Sequence, residues 1–260
     1  MPAYCRLIYL WYNLKYREEH PAMSYESEFR LKSMREQVYD YLRVQMNEGR
    51  IRPNSFLNLN EISKELGMSR TPLRDALFQM EAEGFVTIFP RRGVVVNGLT
   101  LEKIRNIYEM LGALESAVLV LVAVRFRDSD AEAMEKLNQQ MAKALAQNNF
   151  SLFYENNLKF HNTYLDLSDN SEMLHAIKIR KERLYDFPRN KAFVKEWEVH
   201  SLEEHRAMTD LLKEHDFNGA ADYIRDVHWS FSVQERFIRK YYFSRHADLD
   251  ISEEGTEKSE

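Results

Sequence analysis

The chain has 260 residues, of which 44% are hydrophobic and 30% charged, and its formal net charge is −5. This length is typical of two domains, and the apolar content excludes a disordered chain. The single cysteine, Cys5, excludes a disulfide framework within the chain and favours a reducing, cytoplasmic location.

Residues 1–28 form an N-terminal extension whose order the sequence leaves open. Arg6 interrupts its apolar stretch and no small-residue cleavage site follows, so it is predicted to be neither a signal peptide nor a membrane span. Its aromatic cluster, Tyr9 to Tyr12, could pack on the body of the protein, and Met23 could equally be the start of translation.

Residues 61–93 have the pattern of two short helices joined by a tight turn and followed by a basic hairpin. The first helix is predicted over residues 61–66, and Gly67 allows the left-handed backbone conformation that ends it. Ser69 or Thr71 can cap the second helix, because a side-chain oxygen there accepts hydrogen bonds from free backbone N–H groups. The layout is that of a winged helix-turn-helix, which predicts DNA binding.

The second helix carries two arginines near its amino end. Arg70 and Arg74 are four residues apart, so they share one face, opposite the apolar stripe that begins at Leu73. The amino end of a recognition helix reaches base edges in the major groove, where Arg is the best side chain for guanine. Ser69, Arg70, Thr71 and Arg74 are therefore the predicted DNA contacts of this helix.

The hairpin supplies a second basic element. Strands are predicted over residues 85–89 and 94–96 from their β-branched and aromatic content. The turn between them contains Arg91, Arg92 and Gly93, which are the predicted DNA contacts of the wing. Arginines at the tip of such a wing are expected to hold phosphates or to enter the minor groove.

These motifs resemble, in their order, the amino-terminal domain of the GntR family of bacterial transcription regulators. The segments that carry the resemblance include Met34–Leu42, Ile62–Leu77 and Glu81–Val86. It implies a homodimer that binds double-stranded operator DNA. Asn54 stands where the family usually has glycine, and the turn should survive because asparagine tolerates the left-handed conformation. Asn60 stands where some members carry a DNA-binding arginine.

From residue 99 to about residue 242 apolar residues recur at spacings of three and four, which predicts helices throughout. Breaks are expected near residues 128, 148, 168, 188 and 214–219. The first helix of this region is apolar nearly all round and must be central or at a subunit interface. The predicted fold is mainly α: an N-terminal winged helix-turn-helix (α+β) followed by an all-helical bundle of about six helices.

Four segments follow from this pattern: the extension 1–28, a winged helix-turn-helix domain at 29–98, a helical effector-binding and dimerisation domain at 99–243, and an acidic disordered tail at 244–260. Residues 29–98 carry a net charge of +3 and the remainder −8. The basic charge thus lies in the predicted DNA-binding domain.

The helical region resembles the FCD effector-binding domain of the FadR-type branch of the family, in the segments around His161, His205 and His228. In many members an aspartate and three histidines hold a divalent metal, and Asn157 stands here in the place of the aspartate. The resemblance implies one ion, Zn²⁺, Ni²⁺ or Mn²⁺, held by Asn157 and the three histidines. His228 lies one residue further along than usual, so it points correctly only if the turn near 218–219 absorbs the extra residue. Three hydrogen-bonded polar groups in a bundle interior are the alternative.

The effectors of this family are often organic acids, which a metal and nearby cations would bind. Leu111 stands where an arginine is common, whereas Glu115 keeps the end of that motif and is a candidate effector-binding residue. Arg180, Arg183 and Tyr164 are candidates to replace the arginine. Surface charge or core packing is the alternative role of these three side chains.

The expected function is a transcription repressor, a homodimer whose helical domain binds a small effector and alters the spacing of its two winged helices. An enzyme is the competing class, but the sequence has no His-Glu-x-x-His, no Gly-x-Ser-x-Gly and no phosphate-binding glycine loop. A metal-dependent enzyme, or a helical interaction module with a residual DNA-binding domain, is the alternative. No membrane partner is expected.

Overall fold

The computed structural model describes residues 32–185 and 195–243. The chain divides into two compact units, Met1–Leu99 with Glu182–Arg189, and Thr100–Lys181 with Asn190–Glu260. The predicted extension, the predicted acidic tail and the expected break at Pro188 lie outside the described residues.

The first unit contains three helices and a two-stranded antiparallel sheet among its described residues. They are α1 Met34–Asn47, α2 Leu59–Leu66, α3 Arg70–Ala82, β1 Val86–Phe89 and β2 Gly93–Val96. A capping box starts α1, because the Ser33 hydroxyl accepts from the Glu36 N–H and the Glu36 carboxylate accepts from the Ser33 N–H. The helices and the wing have the order that the sequence predicts.

The turn between α2 and α3 forms as expected. Gly67 has φ = 62° and ends α2, and Asn54 also takes the left-handed conformation, with φ = 62°. Ser69 is the residue before α3, but its side chain makes no capping hydrogen bond, and Thr71 lies inside the first turn. The cap predicted for Ser69 or Thr71 is therefore absent, which leaves both hydroxyls on the surface of the turn.

The second unit is helical in its described residues. Its elements are α4 Leu101–Val122, α5 Asp128–Ala146, α6 Phe150–Leu165, α7 Ser171–Tyr185, α8 Lys195–Lys213, α9 Phe217–Tyr223, a π-helical turn Ile224–His228, and α10 Phe231–Phe243. The last residues of α7, from Glu182 on, group with the first unit. None of the helices described in either unit combines the length and the apolar character needed to cross a bilayer.

The mainly α fold is confirmed, but the region after residue 99 has seven α-helices in its described part, against about six predicted. The difference arises after residue 216, where the sequence predicts one helix. Asp216 accepts a hydrogen bond from the Gly219 N–H, so Gly219 lies inside α9 rather than in a break before it. The π-helical turn then separates α9 from α10.

Candidate DNA-binding face and metal centre

The amino end of α3 presents the side chains that the sequence assigns to DNA. Ser69, Arg70, Thr71 and Arg74 are all exposed, whereas Leu73 on the opposite side is buried in the core of the first unit. The 3.6-residue period of the helix thus separates a polar, basic face from the packed one. This exposed face is available for the major groove.

The two arginines of this face differ in their surroundings. Arg70 donates a hydrogen bond from Nη2 to the side-chain oxygen of Asn60 on α2, at 2.8 Å. Arg74 forms no such hydrogen bond or ion pair within the described part of the chain. Its guanidinium keeps all five N–H donors for a ligand, which is the requirement for bidentate recognition of a guanine.

The wing ends in a turn that sets Arg91 in an unusual conformation. The backbone N–H of Arg92 donates to the carbonyl of Phe89 at 3.0 Å, and Arg91 has φ = 62°. This is a type II turn with Pro90 at its second position, and the third position favours glycine. An arginine in this conformation lowers the folding stability by about 1 kcal/mol relative to glycine. The tip of the wing therefore carries local backbone strain.

Arg91→Gly should stabilise the first unit by about 1 kcal/mol and at the same time weaken its binding to DNA of any sequence, because it relieves the strain and removes one phosphate contact. The slope of log affinity against log salt concentration should become shallower by about 1. Unfolding by urea and salt-dependent DNA binding measure the two effects.

Arg92→Gly is the matched control, since it removes the same charge from a residue without the left-handed backbone. It should weaken DNA binding without stabilising the fold. Unchanged DNA affinity in both variants would contradict the role of the wing.

Three histidines from three elements of the second unit meet in its interior. His161 on α6, His205 on α8 and His228 in the π-helical turn have ring centroids 5.0 to 5.4 Å apart. One nitrogen from each ring lies within 4.8 Å of the other two. His161 and His205 are each 1% exposed. The structure therefore brings together the three histidines that the sequence singles out.

Two carboxylates orient two of these rings. Nδ1 of His161 lies 2.9 Å from a carboxylate oxygen of Glu115, and Nδ1 of His228 lies 2.7 Å from one of Glu204. A carboxylate only accepts, so each Nδ1 carries the proton and each Nε2 is left as a lone-pair donor. This carboxylate–histidine arrangement is common where histidines ligate a metal.

Several polar atoms in this interior have no hydrogen-bond partner among the described residues: Nε2 of His161, both ring nitrogens of His205, and the side-chain oxygen of Asn157. Asn157 lies one helical turn before His161 on α6, and it is also buried. Buried polar atoms are nearly always paired in proteins. Nitrogen and oxygen donors left free in this way fit a divalent cation in the Zn²⁺, Ni²⁺ or Mn²⁺ class.

His161 and His205 are neutral at physiological pH. Burial, together with the ammonium of Lys181, lowers the pKa of His161 to about 3. Burial and the neighbouring His228 hold the pKa of His205 well below its usual value. Neutral imidazole is the form that ligates metals, so the rings of His161 and His205 need no deprotonation to bind one.

Glu115 is the centre of a buried polar cluster beside the histidines. Besides His161, it accepts a hydrogen bond from the hydroxyl of Tyr164, and its other oxygen lies 2.7 Å from the ammonium of Lys181. Burial by itself would raise the pKa of Glu115, but the ammonium outweighs it, so that pKa lies well below its usual range. Glu115 is thus a carboxylate that holds His161, rather than a group left free for an effector.

The buried cation of this cluster is one that sequence reasoning missed. Lys181 lies in a charged stretch of the sequence, which predicts an exposed side chain. Its side chain is nevertheless buried. A signal for this exists, because the apolar Ile177 lies one helical turn before Lys181 on the same side of α7 and is buried. Lys181 supplies the positive charge beside Glu115.

The two arginines considered for that role lie elsewhere. Arg180 is only partly buried, and Arg183 belongs to the first unit, where its guanidinium lies 4.9 Å from the centre of the Phe85 ring. Only Tyr164, of the three candidates, lies in the histidine cluster.

The second half of the long helix α4, together with the two residues that follow it, exposes only apolar side chains. Every exposed residue from Met110 to Val124 is apolar, including Leu121 at 57% and Val124 at 92% exposure. A helix that faces solvent normally places charged residues there. A contiguous apolar surface of this kind marks an interaction site.

Two protein-family models match the chain in succession. Residues 34–96 match the family described as bacterial regulatory proteins, gntR family, and residues 106–227 match the FCD domain. Proteins of these families are transcription regulators, not enzymes. The resemblance inferred from the motifs is confirmed.

Individual proteins agree with the two models. The uncharacterized HTH-type transcriptional regulator YdhC of Bacillus subtilis is 23% identical over 190 residues, which cover 72% of this chain and 84% of YdhC. The HTH-type transcriptional repressor RspR of Escherichia coli is 28% identical over 134 residues, 52% of this chain and 59% of RspR. The solved structure of E. coli McbR/YncC shares the fold, with a TM-score of 0.60, 18% identity, and coverage of 82% of this chain and 98% of that one.

Proposed function

The chain belongs to the GntR family of DNA-binding transcription regulators and carries an FCD domain, and we propose that it is a homodimeric repressor controlled by a small organic acid. The acid binds beside a divalent metal held in the second unit. Operator DNA is read by α3 and the wing of each subunit.

The observation that carries the proposal is the set of unpaired donor atoms in the buried histidine cluster. His161, His205 and His228 offer one nitrogen each within 4.8 Å of one another, and Asn157 offers a buried oxygen without a partner. These four residues would hold the ion. When bound, the metal supplies a Lewis acid that can take a carboxylate oxygen of the effector.

The surrounding residues prepare the cluster for an anion. Glu115 and Glu204 hold two of the rings through Nδ1, and Lys181 neutralises Glu115. The metal charge is therefore not cancelled by Glu115, which already has its own counterion. A neutral Asn157 in place of a carboxylate leaves the site more positive, which favours an anionic effector.

The repressor and dimer assignments rest on separate arguments. RspR, one of the relatives, is named as a repressor. A winged helix-turn-helix that reads two half-sites needs a two-fold symmetric dimer. The apolar face of α4 is the surface of the described chain that best suits such a contact, since a self-complementary interface needs a patch without charges.

DNA selected from a random pool by the purified protein should contain two inverted half-sites, and an organic acid of the effector class should release the protein from this DNA. Fluorescence anisotropy on a selected duplex measures both effects, with a panel of mono-, di- and tricarboxylates as probes. Selection of a single unrepeated site, or no release by any acid of the panel, would contradict the proposal.

Arg74→Ala should cost about 1 to 3 kcal/mol of binding free energy on the selected duplex and relax the preference at one base pair of each half-site. The reason is that Arg74 carries a free guanidinium on the exposed face of α3. Lys136→Ala makes the same charge change at an exposed position of the second unit and is the control. Equal losses on selected and random DNA would rule out base reading by Arg74.

A further inference from the structure

His228 stands on a piece of backbone that is not a regular helix. In the turn Ile224–His228 the N–H of Trp229 donates to the carbonyl of Ile224, five residues earlier, at 2.8 Å. This is the hydrogen bond of a π-helix, which spans five residues, whereas the hydrogen bond of an α-helix spans four. The turn therefore contains one residue more than the same stretch of α-helix would. Both ends are fixed, since Ile224 is fully buried and Trp229 is 3% exposed.

The extra residue noted in the sequence is therefore absorbed here, and not at residues 218–219. Because the ends of the turn are anchored, the surplus length widens the backbone between them. His228, directly before Trp229, is thereby directed toward His161 and His205, with its ring centroid 5.0 and 5.1 Å from theirs.

A glycine on the neighbouring helix makes room for the widened turn. A Cβ added at Gly112 of α4 would lie 3.3 Å from the carbonyl oxygen of Arg225 and 3.3 Å from Cβ of Trp229. Such separations are tighter than ordinary contacts, so the turn would have to move by a few tenths of an ångström. Gly112 thus lets the backbone of the turn approach α4.

The side chain of His228 is held as firmly as its backbone. One carboxylate oxygen of Glu204 accepts a hydrogen bond from Nδ1 of His228 at 2.7 Å. The other accepts one from Nε2 of Gln234 at 2.6 Å. Gln234 in turn accepts from the indole N–H of Trp197 at 2.9 Å. The ring has little freedom to compensate for a displaced backbone.

We propose that the π-helical turn, seated on Gly112, is the positioning element that brings His228 to the metal, so that Gly112 sets the metal affinity without touching the ion. The inference rests on the proposed metal site of the second unit.

Gly112→Ala should lower the Zn²⁺ affinity of the full-length protein by about tenfold, the loss typical of residues that orient a ligand, and Gly112→Ser should lower it further. Competition with a chromophoric chelator measures the affinity, and the visible absorption of bound Co²⁺ reports the coordination geometry. The metal-free variants should melt close to the wild type, because alanine is a better helix former than glycine and offsets the tight contact. Asn106→Ala, at an exposed position of the same helix, is the control.

The deletion of Asp226 tests the turn independently. It removes the surplus residue, so a regular helix can join Ile224 to Trp229 and keep His228 at the site. The widened turn is then gone, so Gly112→Ala should no longer lower the Zn²⁺ affinity in this background. A folded deletion variant in which Gly112→Ala still lowers the affinity about tenfold would overturn the role of the turn.

The outcomes separate this inference from the proposed function. Wild-type protein without tight Zn²⁺, Ni²⁺ or Mn²⁺ binding would overturn the metal site itself and the positioning role with it. Wild-type binding together with an unchanged affinity and Co²⁺ spectrum in Gly112→Ala and Gly112→Ser would overturn the positioning role alone.

Discussion

The His161→Ala variant should be purified without its divalent metal and should melt well below the wild type. One of three clustered imidazole ligands is then missing, and the remaining donors cannot hold the ion tightly. Binding to the folded state alone stabilises a protein by about 4 kcal/mol when the free metal is a thousand times Kd. The variant should lose this contribution. Metal content per chain and melting with and without a chelator measure the effect.

His175→Ala is the matched control, because the same substitution falls on an exposed histidine of α7. It should keep about one metal ion per chain. If the chelator leaves the melting temperature of the wild type unchanged, the ion does not stabilise the fold and the prediction is contradicted.

Asn157→Asp sharpens the same test. With a metal present, the new carboxylate is a charged ligand and should slow the loss of the ion to a chelator. Without a metal, it is an unpaired charge in a buried site and should destabilise the fold. Asn156→Asp, on a neighbouring buried residue of α6, places the same charge away from the site and should destabilise in either case. Destabilisation of metal-treated Asn157→Asp would mean that the polar cluster holds no ion.

Leu121→Glu should convert the protein from a dimer to a monomer and reduce its affinity for a two-half-site operator by roughly a hundredfold or more. The substitution places a charge within the apolar face of α4, near its carboxyl end, where a second copy would have to bury it. A monomer engages one half-site only and loses the gain from simultaneous binding, which is typically about 10² to 10⁴. Sedimentation and anisotropy measure the two consequences.

Leu152→Glu is the control, since Leu152 is also exposed but lies on α6 and not on α4. It should leave the dimer and the operator affinity as they are. Dissociation by Leu152→Glu with a stable Leu121→Glu dimer would place the interface elsewhere.

The DNA-binding half of the molecule could be predicted from local sequence. Gly67 and Asn54 both take the left-handed conformation that their residue types favour, and the apolar period of α3 places Arg74 on the exposed side. Arg91 could not be foreseen in this way. Its positive φ depends on the register between β1 and β2, which closes the turn around it.

The members of the histidine cluster could be predicted from the sequence, but the charged partners that hold them could not. The resemblance of the segments around His161, His205 and His228 to the FCD domain identifies the residues. The pairings of Glu115 with Lys181 and of His228 with Glu204, however, join positions that are far apart in the chain. Nothing in the neighbouring residues encodes such a pair.

The chain by itself determined what depends on neighbours along it: the order of the helices, the turn at Gly67, the basic wing and the histidines on their helices. Only the tertiary structure decided that Lys181 is buried and that Ile224–His228 is a π-helical turn. The physical reason is the range of the forces. Backbone preference and amphipathic period act within a few residues, whereas the partner of a buried charge, and the length of backbone needed between two anchored side chains, are set by packing against other helices.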